Sequence, residues 1–180
     1  LHQPITDALA LKGISMIAEN LEKAYENGED REARRNMMIA STIGGMAFIS
    51  SNVGAVHAFA ETVGAWFDTP HGVANSLFLP YIMEFNIPAC PERFADIADA
   101  MGIEREESMS DEQYALKAVE YVKALNRKLN IPTIKEIKGI TEERFEAIAE
   151  RSANNVLSND NARKITKEDY LELLKKAYNE

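Results

Sequence analysis

From Pro4 onward, the apolar residues of this 180-residue chain recur mostly at intervals of three and four, the spacing of one helical face. Nowhere do apolar and polar residues alternate over a strand's length, and no run of β-branched residues has period two. The one Asn-Gly pair, Asn27-Gly28, ends a helical pattern and does not join two strand-like runs. The pattern therefore predicts an all-α fold: a compact domain of about seven helices with no sheet.

Pro4 suits a first helical turn, and Ile5, Leu9, Met16, Ile17 and Leu21 place one apolar face on a helix that ends near Asn27-Gly28. Asp30 is a candidate N-cap for a second helix with Ala33, Met37, Ala40 and Ile43 inward. That helix runs into Gly44-Gly45-Met46-Ala47, where the glycines permit close packing or a break. Residues 55–66 are almost wholly apolar except for His57 and Glu61, the composition of a buried helix. Phe67-Asp68-Thr69-Pro70 breaks the chain, with Asp68 or Thr69 as cap, and a further helix should run from His71 towards Phe85. Beyond Pro88 the pattern becomes conventionally amphipathic. Phe94, Ile97, Ala98 and Met101 mark one helix, and Ala115 to Leu129 a second, introduced by the capping pair Ser110 and Gln113. Residues 141–154 and 166–178 supply two more.

A net charge of −9, with 29 acidic against 20 basic residues, excludes a sequence-blind grip on nucleic acid, which needs clustered Lys and Arg. The longest apolar stretches, near 43–49 and 73–83, fall short of the ~20 residues a membrane helix requires. Cys90 is the single cysteine and forms no internal disulfide, so the default expectation is a cytoplasmic protein. The length suits a single domain, residues 1–180, at roughly 100–200 residues per domain. Leu1 is not a Met, however, and helical periodicity starts within a few residues, as though the chain were cut from a longer polypeptide.

Three histidines offer the main chemistry: His2, His57 and His71. The last two lie in the most apolar region, 14 residues apart. An imidazole in such surroundings needs a partner for each ring nitrogen, and a bound metal can satisfy one of them. The bland alternative is a hydrogen-bonded core or surface histidine. Two ligands do not complete a catalytic metal site, which usually has three or more. Glu61 falls one helical turn after His57 and is a third ligand, an orienting carboxylate, a proton acceptor or a solvated residue. No Ser-His-Asp order, phosphate-cradling glycine loop, Cys-x-x-Cys or His-Glu-x-x-His motif is present, and no catalytic or cofactor-binding residue is assigned.

Gly54-Ala55-Val56-His57-Ala58-Phe59-Ala60-Glu61, then Gly64, then Asp68-Thr69-Pro70-His71-Gly72-Val73-Ala74-Asn75, closely resembles the iron-containing (group III) alcohol dehydrogenases. Thr6-Asp7-Ala8-Leu9, Leu79-Pro80 to Asn86, Ile131-Pro132, Asn161-Ala162-Arg163 and Thr166-Lys167-Glu168-Asp169 agree in order, so the resemblance covers nearly the whole chain. It implies the all-helical, dehydroquinate synthase-like C-terminal domain of such an enzyme, without the N-terminal nucleotide-binding domain. It further implies one divalent ion, iron(II) or sometimes zinc, with His57 and His71 as two of its ligands. The family's Asp-x-x-x-His pair would lie upstream of Leu1, so neither Asp7 nor His2 is assigned to it. By the same likeness NAD or NADP, held mainly by the missing domain, exchanges hydride with a small alcohol or aldehyde, and the full-length protein is a homo-oligomer. The isolated chain would then be inactive.

The resemblance has departures. Many alcohol-oxidising members carry a second histidine where this chain has Glu61. Ala162, Asn130 and Ser76 replace the family's usual Pro, Gly and Ala. Alternative readings are a glycerol dehydrogenase-like or maleylacetate reductase-like enzyme of the same superfamily, or a stand-alone helical interaction module.

Overall fold

The computed structural model describes residues 3–180. Among them are eight α-helices and no strand: α1 (Pro4–Glu26), α2 (Arg31–Ser51), α3 (Ala55–Phe67), α4 (His71–Asn86), α5 (Pro91–Ala100), α6 (Asp111–Lys128), α7 (Phe145–Ala153) and α8 (Lys167–Asn179). The all-α expectation holds, with one helix more than the approximate seven. The chain forms two compact units, one of residues up to 52 with 90–118, the other of residues 53–89 with 119–180.

In the first unit α1 and α2 pack along one another where Gly13 is buried, and a Cβ there would lie 3.6 Å from Ile43 Cγ2. Asn20 donates to Met16 O (2.8 Å) and accepts from Asn36 Nδ2 (3.0 Å), which binds the two helices by an amide pair. Asp30 caps α2 as expected, its carboxylate accepting from Ala33 N at 2.9 Å. Gly44 and Gly45 neither break α2 nor mark a close approach: the helix continues to Ser51, and a Cβ at either would meet nothing within 4 Å. Each glycine costs a helix about 1 kcal/mol, and the buried Ala40 and Ala47 on either side keep the helix docked. Ser110 and Gln113 form the reciprocal cap expected at the start of α6.

The second unit is built on aromatic packing. Phe59 of α3 stacks on Phe78 of α4 at 4.0 Å between centroids, and Tyr170 of α8 meets Phe59 edge-on at 4.8 Å. Val63, Ile82, Ile148 and Leu174 complete the centre of this core. Beneath α3 runs a line of buried hydroxyls, with Ser152 Oγ donating to Thr62 Oγ1 (3.2 Å) and Ser158 Oγ to Ser152 O (2.7 Å). Residues 141–154 differ from the single helix expected. Thr141 is extended, a short 3-10 turn spans Glu142–Arg144, and the α-helix begins only at Phe145.

Pro80 sits inside α4 and is buried, yet the helix is continuous. A proline has no N–H for the carbonyl four residues earlier. That carbonyl belongs to Ser76, and Asn126 Nδ2 donates to it at 2.7 Å in place of the missing backbone donor. At the other end of this unit, Asn161 Oδ1 accepts from Ala55 N (3.3 Å) and Asn86 Nδ2 (3.1 Å), while its Nδ2 donates to Asn86 Oδ1 (2.7 Å) and Arg163 O (2.7 Å). One carboxamide thus ties the start of α3 to the end of α4. The approach is close at Gly54, where a Cβ would stand 3.0 Å from Asn161 Oδ1 and would press on the carboxamide.

Candidate metal centre

His57 lies in the first turn of α3, which starts at Ala55 behind Gly54 as N-cap, and His57 N donates to Gly54 O at 3.0 Å. His71 is the first residue of α4. The cap expected from Asp68 or Thr69 does not form. Asp68 is left-handed (φ 50°, ψ 38°) and closes α3 instead, so Pro70 becomes the N-cap of α4 without a side-chain bond.

The tight three-residue connection returns the chain so that the two imidazoles meet, with centroids 5.2 Å apart and planes inclined at 52°. His57 is half-buried and His71 exposed. Burial first, and then the neighbouring His71, lower the pKa of His57 below its usual value, while the Glu61 charge works in the opposite direction. The net effect favours neutral imidazole, the form with an electron pair to offer a metal.

Glu61 stands one turn beyond His57, exposed, and its Oε2 accepts from Asn155 Nδ2 at 2.7 Å. Asn155 cannot turn its amide round, because its Oδ1 already accepts from Leu157 N at 3.0 Å. Glu61 does not join the histidines as a ligand set: among the described residues, no three His, Cys, Asp or Glu side chains come together in a way that could hold an ion. His2 lies outside the described residues.

Sequence reasoning missed Asn75. One turn after His71, its Nδ2 stands 3.0 Å from His71 Nε2 and donates to His71 O at 3.0 Å. Its Oδ1 is buried and has no hydrogen-bond partner among the described residues, a condition that ordinarily costs about 1–3 kcal/mol. The signals available were its i+4 spacing from a histidine at a helix entrance and its place at the end of the segment that carries the family resemblance.

The donor set suits half of a transition-metal site. Imidazole nitrogens bind zinc at about 2.0–2.1 Å, so two rings sharing an ion bring their ligating nitrogens within ~4 Å, which rings 5.2 Å apart can meet. Any remaining ligands must come from elsewhere.

Fold and site together define an all-helical domain that presents two converging imidazoles at the junction of successive helices. The chain belongs to the iron-containing alcohol dehydrogenases: the model of the Fe-containing alcohol dehydrogenase family, C-terminal, matches residues 2–178. It is 40% identical over 178 residues to "Alcohol dehydrogenase 4" of Saccharomyces cerevisiae, covering 97% of this chain and 44% of the yeast protein. With "1,3-propanediol dehydrogenase" of Citrobacter freundii it shares 38% identity over 175 residues, covering 97% and 45%. The solved structure of an alcohol dehydrogenase from Oenococcus oeni superposes with a TM-score of 0.93 at 39% identity, covering 98% of this chain and 46% of that one. The chain therefore spans less than half the length of the relatives it matches. No described helix is long and apolar enough to cross a membrane.

Proposed function

We propose that His57 and His71 are two ligands of a single divalent ion, iron(II) or zinc. On this reading residues 1–180 are the helical, metal-binding C-terminal domain of an NAD(P)-dependent alcohol dehydrogenase. Its nucleotide-binding N-terminal domain belongs to the same polypeptide and supplies the remaining ligands. The observation that carries the reading is the convergence of the two imidazoles, with His57 biased towards its neutral form. Bound there, such an ion supplies Lewis-acid polarisation of an alcohol or carbonyl oxygen, and the nicotinamide carries the hydride.

The residues of this chain hold and orient. α3 and α4 fix the two imidazoles, and Glu61, pinned by Asn155, sets a negative charge one turn away. Small alcohols and the corresponding aldehydes are the substrate class, the full-length protein is a homo-oligomer, and this chain by itself is inactive for want of the dinucleotide-binding half.

The test is metal binding and turnover by the full-length polypeptide. Titration with zinc under anaerobic conditions should show one tight site, weakened about 100-fold or more by either His57→Ala or His71→Ala. NADH or NADPH oxidation with butanal and iron(II) should fall with it. Unchanged zinc affinity in both variants overturns the ligand assignment. A protein that neither binds metal nor turns over would be a helical interaction module instead.

A further inference from the structure

We propose that Asn75 is a positioning residue that holds His71 in its Nδ1–H tautomer, so that Nε2 keeps its electron pair for the site. The significance of that pair rests on the metal-ligand reading above.

The partner of one Asn75 atom fixes its identity. A backbone carbonyl can only accept, so the Asn75 atom 3.0 Å from His71 O must be the NH2 nitrogen. The same atom stands 3.0 Å from His71 Nε2. An amide NH2 carries two hydrogens and no usable electron pair, so one hydrogen serves the carbonyl and the other faces the ring. Nε2 must then accept, and the proton of a neutral His71 resides on Nδ1. Among the described residues no other hydrogen bond reaches that ring, which leaves Asn75 as the group that selects the tautomer.

The buried Oδ1, without a partner among the described residues, is the counterpart of this choice. Rotating the amide would set Oδ1 against His71 O, oxygen facing oxygen, so the carbonyl of His71 locks the orientation. The bond to that carbonyl does not involve the ring. An ion at Nε2 has to displace the hydrogen that faces the ring, and the bond to the carbonyl is the one that remains.

The experiment uses the full-length polypeptide, metal-free, with nitrogen-labelled histidine. In the wild type, nuclear magnetic resonance should show His71 protonated on Nδ1 with a bare Nε2. Asn75→Asp has nearly the same shape but only acceptor oxygens, and should move the proton to Nε2. Zinc is the probe metal for the second readout. Affinity should fall in Asn75→Asp, because the proton moved to Nε2 has to leave before that nitrogen can bind, against the electrostatic expectation that an added carboxylate strengthens cation binding. Asn75→Ala, which removes the selector without imposing the wrong tautomer, should show a mixture of tautomers and a smaller loss. It serves as the deciding variant if the aspartate variant does not fold. A His71 spectrum unchanged by both substitutions overturns the proposal, as does unchanged or increased zinc affinity in Asn75→Asp. Failure of the wild type to bind zinc would overturn the metal-ligand reading instead, while the tautomer measurement would still decide the role of Asn75.

Discussion

Tyr114 shows how much one buried polar group can govern. It is fully buried, and its hydroxyl is directed at Asp99 Oδ1 (2.8 Å) and Ile103 O (2.6 Å). Burial, and then the Asp99 carboxylate, push its pKa up to about 12; burial does the same at Tyr170, and burial with Glu180 at Tyr81. A phenol of raised pKa stays protonated in the folded state while its unfolded counterpart ionises from about 10. Between pH 10 and 12 the folded state thus holds more protons, and stability falls as pH rises, with no contribution from these groups below that window. Spectrophotometric titration should show a late class of tyrosinates that appears only near pH 12 or on unfolding, and Tyr114→Phe should remove one member of it. At neutral pH the same variant should lose about 1–3 kcal/mol, because Asp99 and Ile103 O lose a buried donor. A late class undiminished by Tyr114→Phe would show that Tyr114 does not belong to it.

At this scale the sequence was informative about residue type and poor about partners. The apolar setting of His57 and His71 singled them out, and the family resemblance implied that they share one ion. The roles of Asn75 and Asn155 depend on which amide atom faces which neighbour, and that is decided by backbone atoms a side-chain pattern does not display.

Among the elements, α4 carries the most instructive compromise. Periodicity predicted a helix from His71 towards Phe85 straight across Pro80, and α4 is indeed continuous. What the pattern could not show is the remedy, a side chain 50 positions from Ser76 that supplies the donor Pro80 lacks. This makes a coupled pair. Asn126→Ala should destabilise the protein by about 1 kcal/mol, since Ser76 O then has neither backbone nor side-chain donor. In a Pro80→Ala background the backbone N–H returns, and the same Asn126→Ala substitution should cost much less. The double-mutant cycle should give a coupling of about 0.5–1 kcal/mol. Strict additivity in denaturant melts would show that the Asn126 bond does not substitute for the missing one. The helix starts that were read correctly, at Asp30, Ser110 and Thr166, are those where a side chain caps its own turn. At α4 the start at His71 was read but its cap was not, because backbone conformation at Asp68 and Pro70 does the work there, and the start expected at Thr141 falls instead at Phe145.

For the whole molecule, the helical class and the two candidate histidines were visible in the sequence because both are local properties. Completion of the site is not local. Two imidazoles meet, yet no third ligand joins them among the described residues, and the chain covers only 44–46% of the relatives it matches. The proposal that a nucleotide-binding domain precedes these residues in the same polypeptide accounts for both facts at once, and it makes a prediction independent of metal. An antibody raised against this sequence should detect, in the source cell, a polypeptide of roughly twice the 20.1 kDa of this chain, as one added domain of ordinary size implies. That polypeptide should also gain thermal stability on addition of zinc, because a ligand bound only by the folded state raises its stability by mass action. The His57→Ala variant should lose that gain. A product of about 20 kDa that gains nothing from metal would leave the two histidines without partners, and the dehydrogenase reading would fail for the protein as the cell makes it.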